Sequence, residues 1–222
     1  MNMRVLISRK KIRSFIIRVV DNSTVSVSVP LDMDNETIEK FLDIKRNWIE
    51  KKLKEKRNMS EVNAEIFSYK KVLIQGKEYT VAYSDVPNVC LVDDYLILPQ
   101  IKASSLESVK KIISNYLLQL AKNVLPKCIA FWGEKLSLCP TGIKIKSLKS
   151  KWGSCNGNGE IVLNVRLIQI PIRLMEYVVV HELCHLKNLN HSEAFWESLK
   201  KVFPDLSEIK KSLKEYEFLI SI

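Results

Sequence analysis

The chain contains three histidines, and all of them fall within eleven residues, in the segment Val180-His181-Glu182-Leu183-Cys184-His185-Leu186-Lys187-Asn188-Leu189-Asn190-His191. This spacing constrains the local fold. Residues four apart on a helix share a face, with Cβ atoms roughly 6 Å apart, so His181 and His185 can reach one ion at the roughly 2.0–2.1 Å of a zinc–nitrogen bond. Glu182 stands about a third of a turn round from His181. That puts its carboxylate beside the metal and not on it, where it can take a proton from water. His191 lies six residues past His185, beyond where the helix should end, and reaches the ion only if the chain reverses. Asn188 is the expected pivot, because asparagine tolerates a left-handed backbone better than most residues. Glu193 and Glu197 are alternative third ligands, but His191 accounts for the one histidine left over. Three neutral imidazoles with an open fourth position are the donor set of a catalytic Zn2+ site, although iron, nickel or cobalt could occupy it in vitro.

The flanks fit a helix that enters the core, with Tyr177, Val178, Val179 and Val180 just before the ligands and Pro171 suited to its first turn. Upstream, period-two alternation at Val5–Ile7, Ile12–Val19 and Val25–Val29 predicts strands, with a turn at Asp21-Asn22-Ser23. Asp34 reads as the cap of a helix over 34–57, whose apolar face carries Ile38, Phe41, Leu42, Trp48, Ile49 and Leu53. Hairpins are expected around Gln75-Gly76-Lys77 and Asp93-Asp94. Ser104 or Ser105 should cap a long helix through Leu106, Val109, Ile113, Tyr116, Leu117 and Leu120, kinked or restarted at Pro126. A strand over 143–152, a turn over 153–159 and a returning strand over 160–165 precede the ligand helix. Two further helices are expected at 192–202 and 206–219. The resulting fold class is α+β: a β-rich basic region over 1–77 with one long helix, then a catalytic domain over 78–222, the border lying softly between 58 and 105.

Composition narrows the function classes. Net charge is +10, and residues 1–77 carry 17 Lys+Arg against 10 Asp+Glu, so most of the excess sits in the first third. Such a region can attract nucleic acid, phosphate or an acidic partner weakly, although solvated lysines on a helix face explain the same count. No apolar run approaches the roughly 18 residues that span a bilayer. The three-residue apolar stretch near the start is too short for a secretory signal, so no membrane association and a cytoplasmic location are expected. The five cysteines, Cys90, Cys128, Cys139, Cys155 and Cys184, are odd in number and form no CxxC pair, so reduced and mostly buried thiols are expected.

The segment Lys149-Ser150-Lys151-Trp152-Gly153-Ser154-Cys155, with Leu163-Asn164, Pro171, Tyr177-Val178, His181 to His185, His191-Ser192 and Phe195-Trp196, resembles the YgjP-like (DUF45) metallopeptidase family. That family looks related to SprT-like and WLM zinc peptidases. The early residues Leu6 to Lys10 and Trp48-Ile49 extend the resemblance over most of the chain. It implies His181, His185 and His191 as zinc ligands, Glu182 as catalytic base, and a zincin-like catalytic domain with a small sheet on two helices. It also implies that an extended peptide or protein substrate lies along an edge strand above the metal, with Lys149 to Cys155 a candidate for that edge or for the turn beside it. The His185-to-His191 spacing equals that of metzincins, but Asn188 stands where they have glycine and no methionine follows, so the chain is not expected to be one.

Trp152 and Asn164 are candidates for the substrate cleft, though a buried role suits Trp152 equally. Asn164, Arg166, Tyr177 and Tyr216 are the candidates for stabilising an oxyanion, while Phe195 and Trp196 read as anchors of the His191 loop. The expected function is zinc-dependent peptide-bond hydrolysis. Two alternatives use the same residues differently: a metal-dependent nucleoside triphosphate (phosphoanhydride) hydrolase, and a nucleic-acid-binding module with structural zinc. The first lacks a Gly-rich phosphate cradle and a carboxylate cluster for magnesium; the second leaves Glu182 without a purpose.

Overall fold

The computed structural model describes residues 3–21 and 23–221. Contacts divide the chain into two compact units, Met1–Glu65 and Ile66–Ile222. The first expected hairpin lies whole within the second unit.

In the first unit, the alternating segments form β1 (Arg4–Lys10), β2 (Ile16–Val19) and β3 (Thr24–Pro30). The sheet order is β1-β3-β2, with β1 parallel and β2 antiparallel to β3. Asn22, the middle of the expected turn, lies outside the described residues. Because side chains alternate across a strand, Val25, Val27 and Val29 point together into a core completed by Ile38, Ile49 and Leu53 of α1 (Asn35–Phe67). Asp34 caps that helix, accepting from the Thr37 N–H at 2.7 Å. Trp48 does not join the core, being 45% exposed. The helix passes the expected end at 57 because no glycine or proline interrupts 35–67. It stops where Tyr69 takes a left-handed φ of 57°.

The second unit opens with a four-stranded sheet ordered β4-β5-β7-β6: β4 (Lys71–Ile74), β5 (Lys77–Ser84), β6 (Cys90–Val92) and β7 (Tyr95–Pro99). Both hairpins form as the turn residues predict. Gln75 and Gly76 take positive φ of 51° and 81° in the first, and Asp93 takes 52° in the second. A Cβ on Gly76 would stand 2.8 Å from Pro171 Cγ, so the first turn needs glycine for close approach as well as for φ.

Ser105 caps α2 (Leu106–Leu136) in a reciprocal box with Ser108. α2 does not restart at Pro126 but continues through it as one helix. An interior proline costs about 3 kcal/mol, but Leu125 and Ile129 on either side of it are buried at 0% and 2% exposure, and packing prevails. The buried residues of α2 are Val109, Ile113, Leu117, Ala121, Leu125, Ile129 and Gly133, each four after the last. Four residues turn a helix by about 400°, so this strip winds slowly round the axis and meets different neighbours along its length.

The last sheet differs from the expected long hairpin. It contains β8 (Gly142–Lys146), β9 (Gly153–Cys155) and β10 (Glu160–Asn164) in the order β8-β10-β9. β8 is parallel to β10 and β9 antiparallel to it, so 153–155, read as turn, is strand. The polar stretch 147–152 leaves the ladder after Lys146, because the carbonyls of Leu148 and Lys151 are taken by the Asn164 side chain. A 3-10 segment, Val165–Gln169, leads to α3 (Ile172–Cys184), followed by α4 (Glu193–Val202) and α5 (Leu206–Glu215), both packed on α3. Pro171 caps α3 from one position outside its first turn. No helix among the described residues is long and apolar enough to cross a membrane.

Candidate metal centre

α3 is a buried helix: Leu174, Met175, Tyr177 to Val180, Leu183 and Cys184 are all shielded from solvent. Burial on every side fixes the helix, so His181 and Glu182 in its last turns are held on a rigid element and His185 closes it as C-cap. The reversal that follows does not use a left-handed Asn188, since among the described residues those other than glycine with positive φ are Tyr69, Gln75, Asp93 and Ser137. Instead, the N–H groups of Leu186, Lys187 and Asn188 fold back onto the carbonyls of Leu183 and Cys184 at 3.0–3.2 Å. The Asn188 carbonyl then accepts from His185 Nδ1 at 3.0 Å. This bond places the proton on Nδ1 and leaves Nε2 of His185 free as a ligand.

The returning chain brings His191 Nε2 to 3.1 Å from His181 Nε2. One ring nitrogen from each of His181, His185 and His191 lies within 4.8 Å of the others, and the trio can hold a metal ion. Glu193 and Glu197, the alternative ligands, are exposed and not part of this group. Two nitrogens on one tetrahedral ion stand roughly 3.3 Å apart at ordinary bond lengths, close to the His181–His191 separation. Burial, then the neighbouring His185, His191 and Lys210, pushes His181 down to about 3. Burial, then His185 and Lys210, lowers His191. Burial thus favours the neutral imidazole of His181, the form that binds metal. Nδ1 of His181 is buried without a partner, so ligation through Nε2 leaves a buried N–H unmatched, at about 1–3 kcal/mol. His191 is exposed, and the centre opens to solvent there.

One side chain supports all three imidazoles. The Phe195 ring, fully buried, lies 4.9 Å from His181, 4.7 Å from His185 and 4.8 Å from His191 between ring centroids. Trp196 stacks on His191 at 5.4 Å and 22°. The expectation that these aromatics anchor the His191 loop captured only part of the Phe195 role. Its position four residues after His191, at the start of an amphipathic helix, was the available signal.

Glu182 is 5% exposed, and burial pushes its carboxyl up to about 7, opposed by the Lys151 charge and a hydrogen bond from the Cys155 N–H. The carboxylate lies against Gly153, where a Cβ would stand 2.8 Å from Oε1 and 2.9 Å from Cγ. The sequence suggested only a turn at Gly153; its place between a tryptophan and a strand leading back into the sheet was the overlooked sign.

Trp152 is 9% exposed, and Asn164 is fully buried with its amide committed. Asn164 Nδ2 donates to the carbonyls of Leu148 and Lys151 at 2.9 Å each, Oδ1 accepts from the Arg166 N–H, and the Asn164 N–H donates to the Trp152 carbonyl at 2.8 Å. Both residues therefore brace the loop that presents Lys151 and Gly153 to Glu182. Arg166 is bonded to Gln169 Oε1 at 2.9 Å and to Tyr69. Tyr177 packs between His181 and Phe203, and burial pushes its phenol up to about 12. Tyr216 is half-buried, with its phenol raised by burial and by Glu215 and Glu78. The thiols are less buried than expected: only Cys184 is fully so, and Cys139 is exposed.

No curated protein sequence matches the chain. Solved structures similar to it include the metallopeptidase zymogen abylysin of Pyrococcus abyssi, 26% identical over 40% of this chain and 91% of that one, with a TM-score of 0.38. The metallopeptidase zymogen jannalysin of Methanocaldococcus jannaschii is 24% identical over 40% and 93%, also at 0.38. The YgjP-like metallopeptidase domain matches residues 13–216. Such a domain implies a divalent metal and a peptide or protein substrate, and with the match running over nearly the whole sequence, the chain belongs to the YgjP-like metallopeptidase family.

Proposed function

We propose that the chain is a zinc-dependent peptidase in which His181, His185 and His191 hold the ion and Glu182 is the general base. The observation that carries this reading is the convergence of three imidazoles beside one buried carboxylate. A set of three nitrogens with no carboxylate ligand suits zinc. When bound, that ion supplies a Lewis acid that eases deprotonation of water and polarises a carbonyl. Glu182 takes the proton on its carboxylate and gives it to the leaving amine, so one group acts first as base and then as acid. Gly153 leaves room for that carboxylate, and the Cys155 N–H and Lys151 favour its charged form. His185 is aimed by its bond to Asn188. Trp152 and Asn164 act by holding the 148–152 loop, not by touching substrate.

The sheet β8-β10-β9 with α2 and α3 then reads as a zincin-like domain, with β9 as the edge nearest Glu182. The test is cleavage of a mixed peptide library by zinc-loaded protein beside Glu182→Gln. Cleavage that disappears in the variant supports the reading and gives the sequence preference. Equal cleavage by both, or none by the parent, removes it.

A further inference from the structure

Charge around the three imidazoles is one-sided. A divalent ion held by the three imidazoles would add two positive charges there, and the adjoining Glu182 carboxylate already has Lys151 acting on it. A further cation comes from α5: the ammonium of Lys210 lies 3.5 Å over the Trp196 ring. That ring stacks on His191 at 5.4 Å and stands 6.3 Å from His181. Lys200, from the last turn of α4, adds its repulsion to Lys210. Among the described residues, neither Lys200 nor Lys210 is paired with a carboxylate.

A lysine over a tryptophan face is a sufficient contact by itself. Beside a cation site the arrangement is costly, because an unpaired ammonium there opposes the ion by Coulomb repulsion. An anion arriving with the substrate relieves both. We infer that Lys210 receives a substrate carboxylate, held over Trp196 at the rim of the three-histidine centre, so that the preferred substrates are peptides presenting a carboxylate there. This rests on the peptidase reading above and gives it a substrate class. The carboxylate comes either from a free C-terminus or from an acidic side chain.

The test is calorimetric titration of zinc-loaded Glu182→Gln protein with three probes: acetyl-trialanine, its C-terminal amide, and acetyl-Ala-Glu-Ala amide. One carboxylate probe should bind on the order of tenfold tighter than the uncharged amide, the scale of a hydrogen bond to a charged group. Lys210→Met, which keeps the stem over Trp196, should abolish that preference, and Lys210→Arg should retain it. Preference for acetyl-trialanine assigns the terminal carboxylate, and preference for the glutamyl probe assigns the side chain. Equal binding of all probes by the parent, or an unchanged preference in Lys210→Met, overturns the proposal. If Lys210→Met does not melt cooperatively, Lys210→Gln takes its place with the same criteria. Titration needs no turnover, so its outcome stands apart from the library experiment, whose failure would strike the peptidase reading alone.

Discussion

The Glu182 carboxylate rests on the backbone of Gly153, closely enough that a Cβ there would overlap both Oε1 and Cγ. β9 and α3 meet at this contact, so a change on the strand is felt at the carboxylate. Gly153→Ala should push the carboxylate aside by a large fraction of an ångström. Displacements near 1 Å cost about 100-fold in rate, and overpacking costs about 1–3 kcal/mol. The variant should therefore melt lower and lose most peptide cleavage while binding metal, as read by kcat, thermal unfolding and metal content.

Phe195 touches all three imidazoles. Phe195→Ala should cost about 3–5 kcal/mol of stability and, by loosening all three ligands together, weaken metal binding by about 10–100-fold. Phe195→Leu should cost less on both counts. Competition with a fluorescent chelator measures the affinity, and unchanged affinity in Phe195→Ala would show that the ring does not hold the ligands.

At Asn188 only the backbone is used, through its N–H to the Cys184 carbonyl and its own carbonyl to His185. Asn188→Ala should leave metal affinity within about threefold, because no left-handed φ has to be maintained. A large loss in the chelator competition would show that the side chain matters after all.

Asn164→Ala should destabilise the protein by about 2–4 kcal/mol, since it leaves the carbonyls of Leu148 and Lys151 without their donor. Denaturant unfolding tests this. A drop in substrate affinity with unchanged stability would instead return Asn164 to the cleft.

Thiol reactivity should follow exposure and proton affinity. Cys139 is exposed, whereas burial and then Glu176 push Cys128 up to about 12. The thiolate is the reacting form and its fraction grows only as pH nears the pKa. At pH 8, iodoacetamide should therefore modify Cys139 first and spare Cys128 and buried Cys184, as peptide mass spectrometry would show. Rapid labelling of Cys128 would contradict the burial described.

Much of the centre was legible because histidine is scarce here and its spacing permits few geometries. The means of reversal was not. A left-handed asparagine is a property of one residue, but the bond from an imidazole to a carbonyl three residues later appears only once the chain has turned. β9 was hidden for another reason: three residues, Gly153-Ser154-Cys155, carry no alternating pattern, and their pairing is set by β10 and by the Asn164 side chain holding 148–151. No restart follows Pro126, because propensity is local while Leu125 and Ile129 answer to the core. The hairpins at Gln75-Gly76 and Asp93-Asp94 could be read directly, since positive φ selects its own residues.

The winding strip of α2 has one more consequence. Its seven buried positions, Val109 to Gly133, are set at a constant interval along 31 residues, so the helix behaves as a threaded rod whose thread is gripped at every turn. Adding one residue just after Ala121 would rotate everything beyond it by about 100° and advance it by about 1.5 Å, bringing Val124, Cys128 and Trp132 to the places where Leu125, Ile129 and Gly133 now lock in. Residues off the thread can drift in identity, but the length of this helix is as fixed as any residue in the metal centre.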